Sequence, residues 1–251
     1  MEKDPWTGFE DGFMNPAENV EAVFRADSPL RFACHHELPC FTQCCRDVNI
    51  YLTPYDILRL RRALKMGSGE FLARYTRHYL AKVTHVPIVQ LAMDPETLRC
   101  PFVADDGCRV YDDRPWACRM FPLDLAKEDG TYRLLADKKR CFGLHEGKQW
   151  TVGEWLESQG VGPYEAMERA FHQVMPPDFQ PGQRMEAGLG KLLFLAYDLD
   201  RFDAIVQDPR FRAFYGIDDE RHEAVRENEE EKLLLAFAYI RSQIAELFSV
   251  L

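Results

Sequence analysis

Apolar and polar positions alternate with helical period through most of the second half of the chain. Leu233, Leu234, Phe237, Ile240, Ile244, Leu247 and Phe248 fall three or four residues apart behind an acidic first turn, which predicts one long helix over 219–248 with a single apolar face. That face reads as core. Shorter helical patterns cover 186–199 and 208–215, and another runs from Gly162-Pro163 to Met175, where Pro176-Pro177 stops it. Thr151-Val152-Gly153-Glu154 has the form of a capping box.

Nearer the N-terminus the pattern is mixed. Residues 48–52 form a short strand-like run, and Thr53-Pro54-Tyr55-Asp56 supplies an N-cap, a proline suited to the first helical turn and a carboxylate to close the box, so a helix is expected to about residue 66. Gly67-Ser68-Gly69 breaks it before a second helix over 70–80. Stretches 84–93 and 132–136 favour strand in part. Residues 1–30 carry Trp6, Phe9, Phe13 and Phe24 among Gly, Pro and acids and read as an irregular lead-in that packs a few aromatics on the body. The fold class is mainly α with a small β component. Three regions are expected: the lead-in at 1–30, a cysteine-rich part at 31–147 and a helical part at 148–251.

The chain is 46% hydrophobic and 29% charged, with no apolar stretch near membrane-spanning length, so one or two compact units and no bilayer crossing are expected. The net charge of −10 is unevenly spread. Residues 31–141 hold 18 Lys and Arg against 14 Asp and Glu, while the remainder holds 13 against 27. No basic stripe supports nucleic-acid binding. Partners are open to another protein; oligomeric state does not follow from the sequence. The first ten residues have neither a basic start nor an apolar run of leader length, so the expected compartment is the cytoplasm.

All eight cysteines lie in the locally basic part, at Cys34, Cys40, Cys44, Cys45, Cys100, Cys108, Cys118 and Cys141. In a reducing compartment such a block reads as metal or cluster ligation, and a disulfide framework is the rival. The chemistry concentrates in two segments: Cys34-His35-His36-Glu37-Leu38-Pro39-Cys40-Phe41-Thr42-Gln43-Cys44-Cys45, and Cys100-Pro101-Phe102 through Gly107-Cys108, Tyr111, Arg114-Pro115 and Cys118-Arg119 to Phe121-Pro122. These segments resemble a family of cysteine-cluster domains to which zinc or iron chelation is ascribed. The resemblance spans about residues 30–145 and includes Leu52-Thr53-Pro54-Tyr55-Asp56-Ile57. The family places two residues between its first three cysteine positions, whereas this chain has five after Cys34 and three after Cys40.

Zinc takes four sulfur or nitrogen ligands around one ion, and an iron-sulfur cube takes four thiolates around a larger object. Cys40, Cys44, Cys108 and Cys118 lead as ligands and are expected to converge on a common site; Cys45, Cys100, Cys141 and Cys34 follow. Eight thiols exceed four ligands, so two centres or spare packing cysteines remain open. The cofactor is an iron-sulfur cluster, with the four-iron form favoured, or zinc. Arg46 and Arg119 either face sulfur or pair with Asp47, Asp112 or Asp113. Gly107 serves a turn, and Pro115 opens a short helix carrying Cys118. His35 and His36 are loop histidines or substitute ligands, with His85 and His145 further candidates.

No catalytic residue is identified, because no protease-like signature surrounds the cysteines and no phosphate loop is present. The resemblance extends distantly to flagellin lysine N-methylases. It therefore implies an alternative, an S-adenosylmethionine-dependent protein lysine methyltransferase with an iron-sulfur centre; enzymatic activity, methyltransferase-like or redox, is otherwise undetermined.

Overall fold

The structure is a computed structural model that describes residues 23–126, 130–176, 179 and 182–249. Trp6, Phe9 and Phe13 of the expected lead-in lie outside them. Phe24 is described, in the two-residue strand β1 (Val23–Phe24), and is packed against a small core. The chain is mainly α with a small β component, as the pattern predicted.

The first helix, α1 (Pro54–Leu64), begins at the expected capping box. Thr53 Oγ1 accepts the Asp56 N–H at 3.1 Å, and Asp56 Oδ2 accepts the Thr53 N–H at 2.8 Å. The next helix, α2 (Ser68–Tyr75), is shorter than expected, because residues 76–80 form a strand. Thr76, at the helix end, turns its Oγ1 back to the Leu72 carbonyl, and β3 (Thr76–Leu80) pairs antiparallel with β4 (Pro87–Leu91) from Thr76↔Leu91 to Leu80↔Pro87. Cross-strand pairing here overrides local helical propensity. Alternate β4 side chains are buried, and the extended segment before α1 docks on this strand through Leu52 N–H to Val89 O and Leu91 N–H to Ile50 O.

Three further sheets are small. The strand β2 (Pro29–Arg31) pairs with β9 (Gln149–Thr151); β5 (Val103–Ala104) pairs with β6 (Gly107–Cys108); and β8 (Tyr132–Leu134) lies between β1 and β7 (Leu123–Leu125). A five-residue helix, α3 (Trp116–Met120), separates β6 from β7. The remaining helices are α4 (Val152–Ser158), α5 (Gly162–His172), α6 (Ala187–Leu193), α7 (Leu199–Val206), α8 (Pro209–Phe214), α9 (Asp219–Glu227) and α10 (Glu229–Ser249).

Two departures from the predicted helices have local causes. Asp198 interrupts 186–199: its side chain accepts the Arg201 N–H and so starts α7 afresh. Asn228 divides 219–248: its backbone is extended, and its Oδ1 receives the N–H groups of Glu230 and Glu231 at the start of α10. The apolar stripe is core as expected, with Leu233, Phe237, Ile240 and Ile244 buried and Leu234 partly so. Leu247 and Phe248 have side chains outside the described residues.

One large core joins side chains from α1, α2 and β4 to those of α5, α6, α7 and α10. A smaller one gathers Leu30, Phe32, Met120, Leu123, Val152, Trp155, Leu156 and Val161. Trp116 at the start of α3 packs on both, so the helix that carries Cys118 sits at their junction. Among the described residues, no helix is long and apolar enough to cross a membrane.

Candidate metal centre

Hydrogen bonds tie the first cysteine segment to the second at one place and to the chain around Cys141 at another. Cys100 N–H donates to Cys45 O at 2.8 Å, and Asp47 N–H to Leu98 O at 2.8 Å, so the end of the first segment lies alongside the start of the second. Ala33 N–H donates to Gly143 O at 3.0 Å, and Phe142 N–H reaches Cys40 Sγ at 3.3 Å. These bonds set Cys34 and Cys40 beside Cys141. Between the two straps the chain turns sharply: Thr42 at φ 63° and Asp47 at φ 53° flank the Gln43–Cys45 turn.

The thiols accordingly have two electrostatic neighbourhoods, joined at Cys44 and Cys45. Cys34 is in electrostatic contact with Cys40, Cys44 and Cys141, and Cys141 with Cys40 and Cys44. Cys45 is in contact with Cys100 and Cys118, and Cys118 with Cys100 and Cys108. The hydrogen-bonded neighbours Cys44 and Cys45 form the seam between the groups. Of the four expected to share a site, Cys40 and Cys44 have their electrostatic neighbours in the first group, and Cys108 and Cys118 theirs in the second. The two most exposed thiols, Cys34 and Cys44, are both in the first group, which is therefore the outer one. Cys100 and Cys108 pack against the large core, and the second group is the inner one.

All eight cysteines are free thiols. Burial pushes Cys100, Cys108, Cys118 and Cys141 above the usual thiol range, and Cys34 up to about 11. In the hydrogen-bonded pair, Cys44 is lowered to about 7 and Cys45 is raised, as expected when one thiol gives its hydrogen to the other. Thiols held neutral by burial bind a cation only by losing protons to it. Backbone donors are in place for the resulting charge: Cys100 Sγ faces the N–H groups of Phe102 and Val103, Cys108 Sγ that of Val110, and Cys141 Sγ those of Gly143 and Leu144. Gly107 makes the tight turn before Cys108 at φ 127°, and Pro115 caps α3 ahead of Cys118. The thiols are nevertheless spread: among the described residues, no three His, Cys, Asp or Glu side chains are grouped closely enough for one metal ion.

The flanking candidates are resolved by their partners. Arg119 turns from sulfur and from every carboxylate, donating to the carbonyl oxygens of Arg114 (3.1 Å), Gln159 (2.7 Å) and Asp112. Asp113 pairs with Arg59 at 2.7 Å. Arg46 is exposed and bridges to Arg99 through the backbone. His35 lies between Glu37 and Glu146, each at 3.8 Å; His36 is exposed. His85 Nδ1 donates to Met185 O at 2.7 Å, and His145 Nε2 to Lys138 O at 2.8 Å, so both tie loops together.

Two residues in the matched motifs do more than their sequence revealed. Asp56 is fully buried, and its Oδ1 accepts the Trp116 N–H at 2.8 Å, so one carboxylate caps both α1 and α3. Arg114, largely buried, is a cation in the electrostatic surroundings of both Cys108 and Cys118. Both belong to recognisable motifs, but no spacing rule reports a contact made across the fold.

Free thiols gathered from distant segments, with N–H donors beside sulfur, are the chemistry that a metal-chelating cysteine domain uses. In a comparison with known families, residues 33–146 match the model of the CxxCxxCC family, described as "Putative zinc- or iron-chelating domain". No curated protein and no solved structure matches the chain.

Proposed function

We propose that the protein holds two metal centres in series, each on four thiolates, and that the metal is iron in iron-sulfur form. The outer centre would use Cys34, Cys40, Cys44 and Cys141, and the inner one Cys45, Cys100, Cys108 and Cys118. The two electrostatic neighbourhoods of the eight thiols carry this reading. Soft thiolates suit either metal; the excess of cysteines over four and their locally basic surroundings favour a cluster over zinc. Such a core stores and passes single electrons. An exposed set joined through one peptide bond to a more deeply packed set suits an electron entering from a partner at the surface, in a reducing compartment such as the cytoplasm.

Metal and sulfide analysis of anaerobically purified full-length protein tests the proposal. About eight iron and eight sulfide per chain are expected, with a broad visible sulfur-to-iron absorption. Cys118→Ser and Cys40→Ser should each remove about half. Two zinc ions and no sulfide would refute the cluster chemistry while keeping the two sets, and equal loss of all metal from both variants would refute their independence.

A further inference from the structure

Two buried guanidinium groups line a cleft of about 290 Å³ between the Tyr111–Asp113 turn and the C-terminal end of α4. Arg114 and Arg119 are only 8% and 7% exposed. The other walls are Tyr111, Asp112, Ser158, Gln159 and Gly160. Inward-lying arginines elsewhere have a carboxylate: Arg61 pairs with Glu229, and Arg59 with Asp113 at 2.7 Å. In the cleft every acceptor is neutral. Arg114 donates to Tyr111 O at 2.6 Å and Gln159 Oε1 at 2.5 Å, and Arg119 to the three carbonyls already described. Asp112 supplies one of those carbonyls, and among the described residues its exposed side chain pairs with neither guanidinium. A buried cation without a counter-ion is costly, and two side by side are costlier.

We propose that this cleft binds a small oxyanion, a phosphate group or a carboxylate, with Arg114 as its principal donor. Among the described residues, the two bonds of Arg114 use one hydrogen on each Nη. Its Nε–H and the second hydrogen on each Nη stay available, in the planar fork that matches an oxyanion. The Tyr111 ring covers one face of this guanidinium, with its centroid at 3.9 Å, so a ligand approaches in the plane where the N–H groups point. Arg119 is better compensated. Its Nη1 bonds the Gln159 carbonyl at the end of α4, where the helix dipole favours positive charge, which leaves Arg114 as the surplus cation. Gly160, at φ 65°, brings no side chain to the wall beside Arg119; a Cβ there would lie 3.4 Å from Nη1. No cysteine lines the cleft, so its occupancy is independent of which metal the thiols hold.

Calorimetric titration of the full-length protein with inorganic phosphate and with acetate, at ionic strength held constant with sodium chloride, tests the proposal. Saturable binding of at least one anion is expected, and the tighter of the two identifies the head group of the ligand. Arg114→Gln should weaken it roughly tenfold or more, and Arg114→Lys, which keeps the charge but lacks the fork, by about threefold or more. Asp112→Asn removes the opposing charge at the rim and should tighten binding about two- to threefold, a gain that misfolding cannot produce. Arg109→Gln, at an exposed arginine outside the cleft, should leave binding unchanged. The proposal fails if neither anion binds saturably, if Arg114→Gln binds as well as the parent, or if Asp112→Asn binds no better than it. Equal weakening by Arg109→Gln and Arg114→Gln overturns it too, since general surface charge would then account for the binding.

Discussion

Phe102 links the hydrophobic core to the inner thiols, and replacing it by alanine should loosen both. Its side chain is 1% exposed, lies 5.0 Å from the Tyr75 ring and 6.4 Å from that of Phe71, and its backbone supplies an N–H beside Cys100 Sγ and a carbonyl for the Arg109 N–H at 2.9 Å. Removing a fully buried phenyl costs about 3–5 kcal/mol once the cavity is counted. The two aromatic contacts place Phe102→Ala in the upper part of that range. Phe102→Leu refills most of the space and should cost about 1–2 kcal/mol. Urea unfolding of the metal-loaded protein measures both, and chelator challenge before unfolding should show the inner metal leaving first. A loss below about 1 kcal/mol for Phe102→Ala, or earlier release of the outer metal, would refute the claim that the core holds the Cys100–Cys108 turn in place.

Gly143→Ala should have the mirror effect, because a Cβ there would meet Ala33 O at 2.5 Å and the Phe32 ring at 2.8 Å. A cost of about 1–3 kcal/mol and selective release of the outer metal are expected in the same assays, and unchanged outer retention would count against the Ala33–Gly143 strap. Thr53→Ala removes half of the α1 capping box and should lower stability by about 1 kcal/mol in urea unfolding, with no change in metal content. Burial raises the Asp56 carboxyl to about 6 from an ordinary 3.8, so between those values the folded chain keeps a proton that the unfolded chain has lost. Stability from this group therefore falls as pH rises through that window, by on the order of 3 kcal/mol, and levels off above it. The difference in unfolding free energy between the parent and Asp56→Asn should show this slope; a flat difference would contradict it.

Features that a single local rule controls could be read from the chain. The Thr53–Asp56 and Thr151–Glu154 boxes, the proline ahead of Cys118 and the buried stripe of α10 are of this kind, since each depends on residues a few positions apart. The errors occur where distant pairing decides. Residues 76–80 became a strand only because 87–91 lies opposite, and 219–248 broke where Asn228 could cap a new helix better than continue the old one. At the site, the motifs singled out the cysteines but could not say which lie near which, because that depends on backbone bonds such as Cys100 to Cys45 and Ala33 to Gly143. Arg114 lay in plain view within a motif, yet its significance is a matter of burial, which residue spacing does not encode.

The seam at Cys44-Cys45 also bears on how the protein is made. On the proposed two-set reading, consecutive residues serve different sets, so the first cysteine segment cannot complete either one and must wait for later chain to emerge from the ribosome. The inner set becomes complete with Cys118 and the outer with Cys141, both before α4 to α10 have been synthesised. The backing for the inner set comes later still: the Gln159 carbonyl that holds Arg119 and the α5 to α10 side chains that close the large core follow in the sequence. Vectorial synthesis thus leaves an interval in which all eight ligands are present but uncovered. On the same reading, metal taken up in that interval would be closed in by the helices that arrive afterwards.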